Sequence, residues 1–485
     1  MSNDNSITQS TTDRTTDNQK KSDMRQVIEI GMRRSVGLLW CVAASLAIST
    51  SAFADVPGDG DGDADVGIDD FALMSTCHLG PDLAPFALCG EPFDFDFDGD
   101  VDMSDFAAFQ LCFSGENLPK VGDCAGHQAR IEGNCLHIIG TVADSTLALR
   151  LQSSVPAILE VDVGNDGLAE FAFDRETFNC IRVSARSGDD LIIIDETNGV
   201  FTNTEATTID GGRGNDTLVG GSGGEVFIGG DGNDSILMGA GNDRSIWNPG
   251  DDTDLVEGEA GIDTVEINGG NGAETFTVTA NGTRVRFDRL SPAPFNLDIN
   301  ACENLVLNAN GGNDSLACTG NLAALIQITA DGGAGDDTLL GSNGIDVLLG
   351  GEGQDFIDGQ QGNDLVFGGD GDDIIQWDPG DGSDIVEGQT GQDLLRFNGS
   401  NANEVFDFSA NGSRVRFTRN VASVVLDVDE VEQFDLQALG GADVVTVNDL
   451  AGTDAMQINL NLAATLGGST GDAQPDNVIV NGTNA

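Results

Sequence analysis

The chain has 485 residues and a formal charge of -60, from 81 acidic against 21 basic side chains, and that sign excludes nucleic acid as a partner because phosphate binding needs the opposite one. With 66 glycines, 24 phenylalanines, no tyrosine and 39% hydrophobic residues, it is rich in turns yet apolar enough to build a core. A merely acidic surface scatters its carboxylates and a cation-binding one spaces them, so the spacing decides between the two.

Residues 1–54 read as an address. Arg33 and Arg34 precede the apolar run "SVGLLWCVAASLAIS", which ends in the small-x-small pattern Ala52-Phe53-Ala54 before Asp55. An N-terminal signal peptide and export to the extracellular space or cell surface are expected. Beyond it no apolar run approaches the roughly 18 residues of a membrane span. Of nine cysteines, Cys41 falls in the leader; the other eight, Cys77, Cys89, Cys112, Cys124, Cys135, Cys180, Cys302 and Cys318, are an even set that suits disulfides after export.

Residues 55–126 contain a duplicated carboxylate loop. In "DFDFDGDVDMSD", Asp94, Asp96, Asp98, Asp102 and Asp105 take loop positions 1, 3, 5, 9 and 12, with Gly99 at position 6. Alternate inward side chains and a glycine at the bend let a twelve-residue loop wrap a hard cation in oxygens. Thirty-five residues earlier Asp59, Asp61, Asp63 and Asp70 take positions 1, 3, 5 and 12, but Ala64 stands at 6 and Gly67 at 9. The pair resembles a dockerin or EF-hand module, which implies a small α-helical calcium-binding unit and, in its relatives, a cohesin-like partner.

Residues 127–185 read as a β-rich linker segment in which "LEVDVGNDGLAEFAFD" has the pattern of a hairpin. Two arrays of nonapeptides follow, within modules placed at 186–329 and 330–485. The first runs over 211–246 and the second over 332–376, with the pattern G-G-x-G-x-D-x-U-x, as in "GGDGNDSIL" and "GGDGDDIIQ". After each, a two-residue offset at Trp247 or Trp377 leads into two degenerate units. Six residues make a turn whose glycines allow positive φ, and the next three make a short strand with its eighth residue inward. Such strands stack into a two-sided solenoid with Leu339, Leu348, Ile357, Val366 and Ile375 as an apolar ladder. Stacked turns also bring like charges together, at a cost of roughly 1 to 4 kcal/mol per close pair. A cation between turns cancels that repulsion, so binding and folding become one equilibrium.

These arrays resemble the RTX (hemolysin-type) calcium-binding repeats, which implies a mainly β protein built as a parallel β-roll. By that resemblance the calcium ligands are Asp216, Asp234, Asp243, Asp254 and Asp263 in the first array and Asp337, Asp346, Asp355, Asp364, Asp373, Asp384 and Asp393 in the second. Glu225 replaces the sixth-position aspartate in one unit, and Ser245 stands at the inward place of another. The arrays sit in a larger duplication: "NGTRVRF" at Asn281 returns as "NGSRVRF" at Asn411, a shift of 130, whereas the array openings at Asp210 and Asp331 differ by 121. The difference of nine reads as one whole coil gained or lost. Asn-Gly turns between alternating strands predict hairpins there, and "SGDDLIIID", "GGNDSLAC" and "GGADVVTV" predict that the solenoid continues with fewer calcium ligands.

Enzyme motifs are sparse. There are three histidines, His78, His127 and His137, and no H-E-x-x-H. A G-x-S-x-G match at Gly220–Gly224 follows from glycine-rich composition alone. The expected protein is a secreted, non-enzymatic calcium-binding structural or interaction protein, with Ca2+ as its cofactor and a cohesin-like protein or an extracellular polymer as its partner. The alternatives are a dockerin-borne component of a polysaccharide-processing assembly, or a polysaccharide epimerase- or lyase-like enzyme.

Overall fold

The computed structural model describes residues 126–482. The leader and the carboxylate loops, with Asp59, Asp61, Asp63, Asp70, Asp94, Asp96, Asp98, Asp102 and Asp105, lie outside the described residues, as does the expected helical module. Residues His127–Ala485 form one unit. Among the described residues its regular elements are strands and three short 3-10 turns, and no helix is long and apolar enough to cross a membrane.

The nonapeptide sets the architecture. Each unit carries the chain through one turn and one strand, and successive strands fall alternately on two facing parallel sheets. Val347 therefore pairs with Thr329 and Leu365 in the first sheet, and Phe356 with Thr338 and Ile374 in the second, at a register of 18 residues. A coil is thus two nonapeptides. Eighth-position side chains from both sheets meet in the middle: Leu339, Leu348, Ile357, Val366 and Ile375 are all buried, as are Leu218, Phe227 and Ile236 in the first array. Each such side chain contributes about 1.5–3 kcal/mol of apolar burial.

The period of 18 corrects one expectation. Nine extra residues are half a coil, so they move everything downstream to the opposite sheet. The first hairpin, Thr275–Asn281 with Arg284–Ser291, returns through Phe295–Asn300 and is inserted in the second sheet, between Asp254–Glu257 and Ser315–Thr319. Its duplicate, Val405–Asn411 with Arg414–Arg419 and Val424–Asp429, is inserted in the first sheet, between Ile385–Thr390 and Val444–Val447. The Asn-Gly turns are where the sequence placed them, with Gly282 and Gly412 at φ +69° and +74°.

The sheets run without interruption past residues 185 and 329. Strand Cys180–Ser184 pairs with Cys135–Ile139 on one side and Ala206–Arg213 on the other, and Asn304–Asn308 pairs with Gln327–Ala334. The segment 127–185 therefore forms the first coils of the same solenoid, including the expected antiparallel pair Val155–Val163 and Phe171–Asp174. A disulfide joins Cys135 and Cys180 on adjacent strands. Cys302 and Cys318 remain thiols, since Cys302 precedes a strand of the first sheet and Cys318 lies in the second. Both tryptophans are core residues: Trp247 stacks on Phe295 at 3.8 Å and Trp377 on Phe397 at 4.0 Å, and each indole N–H donates to a turn carbonyl, of Asp252 and Gly382.

Turn glycines are required by close approach. Gly371 has φ +145°, and a Cβ there would lie 1.5 Å from the carbonyl oxygen of Gly353 in the coil before. Gly371→Ala is expected to lower stability by more than about 1–3 kcal/mol, the cost of the backbone conformation alone, even in saturating calcium. Thermal unfolding with excess calcium checks this, and an unchanged midpoint would contradict the stacking.

Candidate metal centre

Every sixth-position residue sits where a turn enters a strand, two residues before a buried inward side chain, which is apolar except for Ser245 after Asp243. Because units alternate between sheets, these carboxylates form a column along each edge of the solenoid. One column contains Asp216, Asp234, Asp254, Asp337, Asp355, Asp373 and Asp393; the other contains Asp243, Asp263, Asp346, Asp364 and Asp384. All twelve are buried. Within a column each side chain reaches back one coil. Asp234 Oδ1 accepts the backbone N–H of Asp216 at 2.7 Å, Asp355 that of Asp337 at 2.7 Å, Asp373 that of Asp355 at 2.9 Å and Asp364 that of Asp346 at 2.9 Å.

That bond uses one oxygen. The other, Oδ2, has no hydrogen-bond partner among the described residues in Asp216, Asp234, Asp243, Asp263, Asp337, Asp355, Asp364, Asp373 and Asp393. In Asp216, Asp263, Asp337, Asp355, Asp373 and Asp393 it faces a small space over the first glycine of its own unit, shared with a carbonyl of the next coil. A Cβ built on Gly350 would lie 2.4 Å from Asp355 Oδ2 and 2.3 Å from Gly368 O; one on Gly368 would lie 2.6 Å from both Asp373 Oδ2 and Gly388 O. The same pair of oxygens, Asp216 Oδ2 and Gly229 O, surrounds Gly211. Asp346 differs, because Ser342 takes the place of a glycine and donates its N–H and its hydroxyl to the two oxygens.

Electrostatically these are carboxylates in want of a cation. Burial, reinforced by neighbouring carboxylates at several of them, pushes Asp216 and Asp384 up to about 6, Asp234, Asp243, Asp355 and Asp393 to about 7, and Asp254 and Asp364 to about 8. Burial raises Asp346 to about 6 as well, and raises Asp263, Asp337 and Asp373. No three carboxylate, histidine or cysteine side chains converge on one point among the described residues. The donors at each place are one or two carboxylates and main-chain carbonyls. All are hard oxygens in a flexible turn, a set that fits calcium better than magnesium, which needs a tighter octahedron.

The columns extend beyond the residues that the motif singles out. Asp190, Asp314 and Asp443, in the three degenerate turns, have the same bond from Oδ1 and the same unpartnered Oδ2. Glu303 and Glu432 accept the N–H of Asp263 and Asp393. Glu274 and Glu404 hold the same place after the two-residue offsets Ile267-Asn268 and Phe397-Asn398. The signal for all of them is a carboxylate two residues before an inward apolar side chain, as in "ENL" at Glu303 and "EQF" at Glu432. It persists where the glycines do not.

The family model of the RTX calcium-binding nonapeptide repeat matches four copies, at residues 202–236, 210–244, 329–348 and 340–375. Those repeats bind calcium. No curated protein matches the chain. Among solved structures, the crystal structure of the extracellular lipase LipA from Serratia marcescens is similar at 14% identity and a TM-score of 0.17. The likeness covers 53% of this chain and 43% of that one, so this chain spans less than half of the lipase, and so slight a likeness carries no argument about activity.

Proposed function

For a chain that carries RTX calcium-binding nonapeptide repeats, we propose the function of a secreted, non-catalytic calcium-binding protein whose β-roll is ordered by the ion and then serves as extracellular or cell-surface structure. The observation that carries this reading is the pair of buried carboxylate columns, most of whose members hold one oxygen on a neighbouring N–H and leave the other without a partner among the described residues. The ligands are Asp216, Asp234, Asp243, Asp254 and Asp263, then Asp337, Asp346, Asp355, Asp364, Asp373, Asp384 and Asp393, with Asp190, Asp314 and Asp443 added. Calcium bound there supplies positive charge between stacked turns and accepts the free oxygens as ligands. The residues do the rest: Oδ1 fixes each carboxylate to the coil before, and the glycines admit the close approach of the turns. With no ion the same side chains repel across about 4.8 Å, the spacing of adjacent strands.

Export is supported by the leader pattern and by the Cys135–Cys180 disulfide, a bond kept in oxidising compartments. Outside the cell calcium suits sites of roughly 10⁻⁴ to 10⁻³ M affinity. The loops at Asp59–Asp70 and Asp94–Asp105 add a second calcium element by sequence alone. A non-catalytic role is favoured because most buried carboxylates of the described residues have column places, while Asp162 and Glu205 pair with Arg150 and Arg175 and Asp358 accepts the N–H of Gln360. The test is far-UV circular dichroism of the full chain during a calcium titration, with magnesium as control. A cooperative gain of β-signal with calcium alone is expected. Full signal in calcium-free buffer, unchanged by the ion, would overturn the reading.

A further inference from the structure

Two carboxylates in the columns meet a cation that the chain itself provides. Glu274 and Glu404 are each the residue at which a column resumes next to an inserted hairpin. Glu274 gives its backbone N–H to Asp314 Oδ1 at 2.6 Å, as the aspartates do, and its Oε2 accepts the N–H of Gly270 at 2.6 Å. Its Oε1, however, receives Nη1 of Arg289 at 2.8 Å, and both side chains are buried. In the duplicate, the N–H of Glu404 goes to Asp443 Oδ1 at 2.9 Å, its Oε2 accepts from Ser400 at 2.7 Å, and its Oε1 pairs with Arg419, again with both side chains buried.

Each arginine stands fifteen residues after its glutamate, on the antiparallel strand of the hairpin. Each guanidinium also lies over a junction tryptophan, Arg289 and Trp247 at 5.2 Å, Arg419 and Trp377 at 5.2 Å. Glu225 is the internal comparison. It is a glutamate at the same place, with Oε2 on the N–H of Gly221 at 2.9 Å, but its Oε1 has no partner among the described residues. One coil before Glu225 the register place is held by Thr207, so that column has no carboxylate there.

We propose that Arg289 and Arg419 are built-in counter-ions that supply at the two hairpins the positive charge which the other column carboxylates leave to calcium, so that the hairpin coils are ordered without the ion and each anchors the array that precedes it. The proposal rests on the calcium reading above. A guanidinium is charged at every relevant pH and matches a carboxylate in shape. Tethered in the same chain, it is present at fixed stoichiometry and does not follow the ion concentration, whereas stabilisation by a free ion does. The hairpins also hold an aromatic cluster each, Phe276, Phe287 and Phe295 in the first and Phe406, Phe408 and Phe417 in the second, so apolar burial holds them where the arrays depend on charge balance.

Hydrogen exchange of the full chain, followed by mass spectrometry with and without calcium, tests this. In calcium-free buffer, peptides over Thr275–Ser291 and Val405–Arg419 are expected to stay protected, while those over Val347–Asp370 exchange at least about a hundredfold faster than with calcium. Equal loss at hairpins and arrays would overturn the proposal and leave calcium-dependent folding standing. Arrays as protected without calcium as with it would overturn both. Arg419→Met is expected to make the second hairpin calcium-dependent, with about a hundredfold faster exchange in calcium-free buffer, because it strands a buried carboxylate. Glu404→Gln combined with Arg419→Met removes both charges and is expected to restore protection without calcium. A double variant as exposed as the single one would reduce Arg419 to a packing role and overturn the proposal.

Discussion

Asp355→Asn is expected to shift stability in opposite directions with and without calcium. Asp355 lies mid-column, with Asp337 and Asp373 one coil to either side; Oδ1 accepts the N–H of Asp337 at 2.7 Å and Oδ2 faces the carbonyl of Gly368. An asparagine keeps the acceptor, offers a donor to that carbonyl and removes one charge from a column of like charges. In calcium-free buffer the substitution should therefore stabilise the roll, by about the 1 to 4 kcal/mol that close like charges cost. In calcium it removes a charged ligand, and the midpoint of the calcium titration should rise by roughly tenfold, the scale on which ligand charge tunes calcium sites. Denaturant unfolding in both buffers reads the two signs. Glu352→Gln, three residues earlier in the same turn at an exposed position, is the control and should show neither change. A shift of the same sign in both buffers would mean that Asp355 is a structural hydrogen-bond acceptor with no ion to hold.

The repeat was legible because two constraints coincide at a fixed spacing. A turn glycine, a sixth-position carboxylate and an eighth-position apolar residue recur every nine positions, so one strand's inward face, as at Ile357, fixes the next at Val366. What the motif could not yield is what depends on partners distant in sequence. A nonapeptide does not say whether it is a full coil or half of one; only the pairing of Thr329 with Val347 across 18 residues does, and with it the transfer of the second hairpin to the other sheet. The carboxylates outside the glycine pattern, such as Glu303 and Glu432, were hidden because the left-handed position of their turns is taken by Ala301 and Glu430, at φ +51° and +52°, where no glycine marks it. Arg289 and Arg419 look like ordinary strand residues until the hairpin folds back and buries them on Glu274 and Glu404. Their equal spacing in both copies was the available signal.

Acid and calcium should compete for the same oxygens, which gives the pH profile two signs as well. In calcium-free buffer the folded-state carboxyls of Asp234, Asp355 and Asp393 titrate near 7 and those of Asp254 and Asp364 near 8, all raised by burial, against about 3.9 for an unfolded aspartate. A group whose pKa is raised on folding contributes stability that is complete below the unfolded value and is lost as pH climbs through the folded one. The calcium-free roll is therefore expected to gain β-signal as pH falls from about 8.5 to about 5. With calcium the order reverses: the ion needs ionised carboxylates, so its midpoint should rise over the same window and protons should be released on binding. Acid also relieves the general repulsion of a chain at -60, and that part is removed by about 1 M monovalent salt, where the Debye length falls to about 3 Å. Circular dichroism across the window, in metal-free buffer and in calcium at high salt, separates the contributions. Two curves of the same slope would show that the buried columns do not exchange protons for the ion.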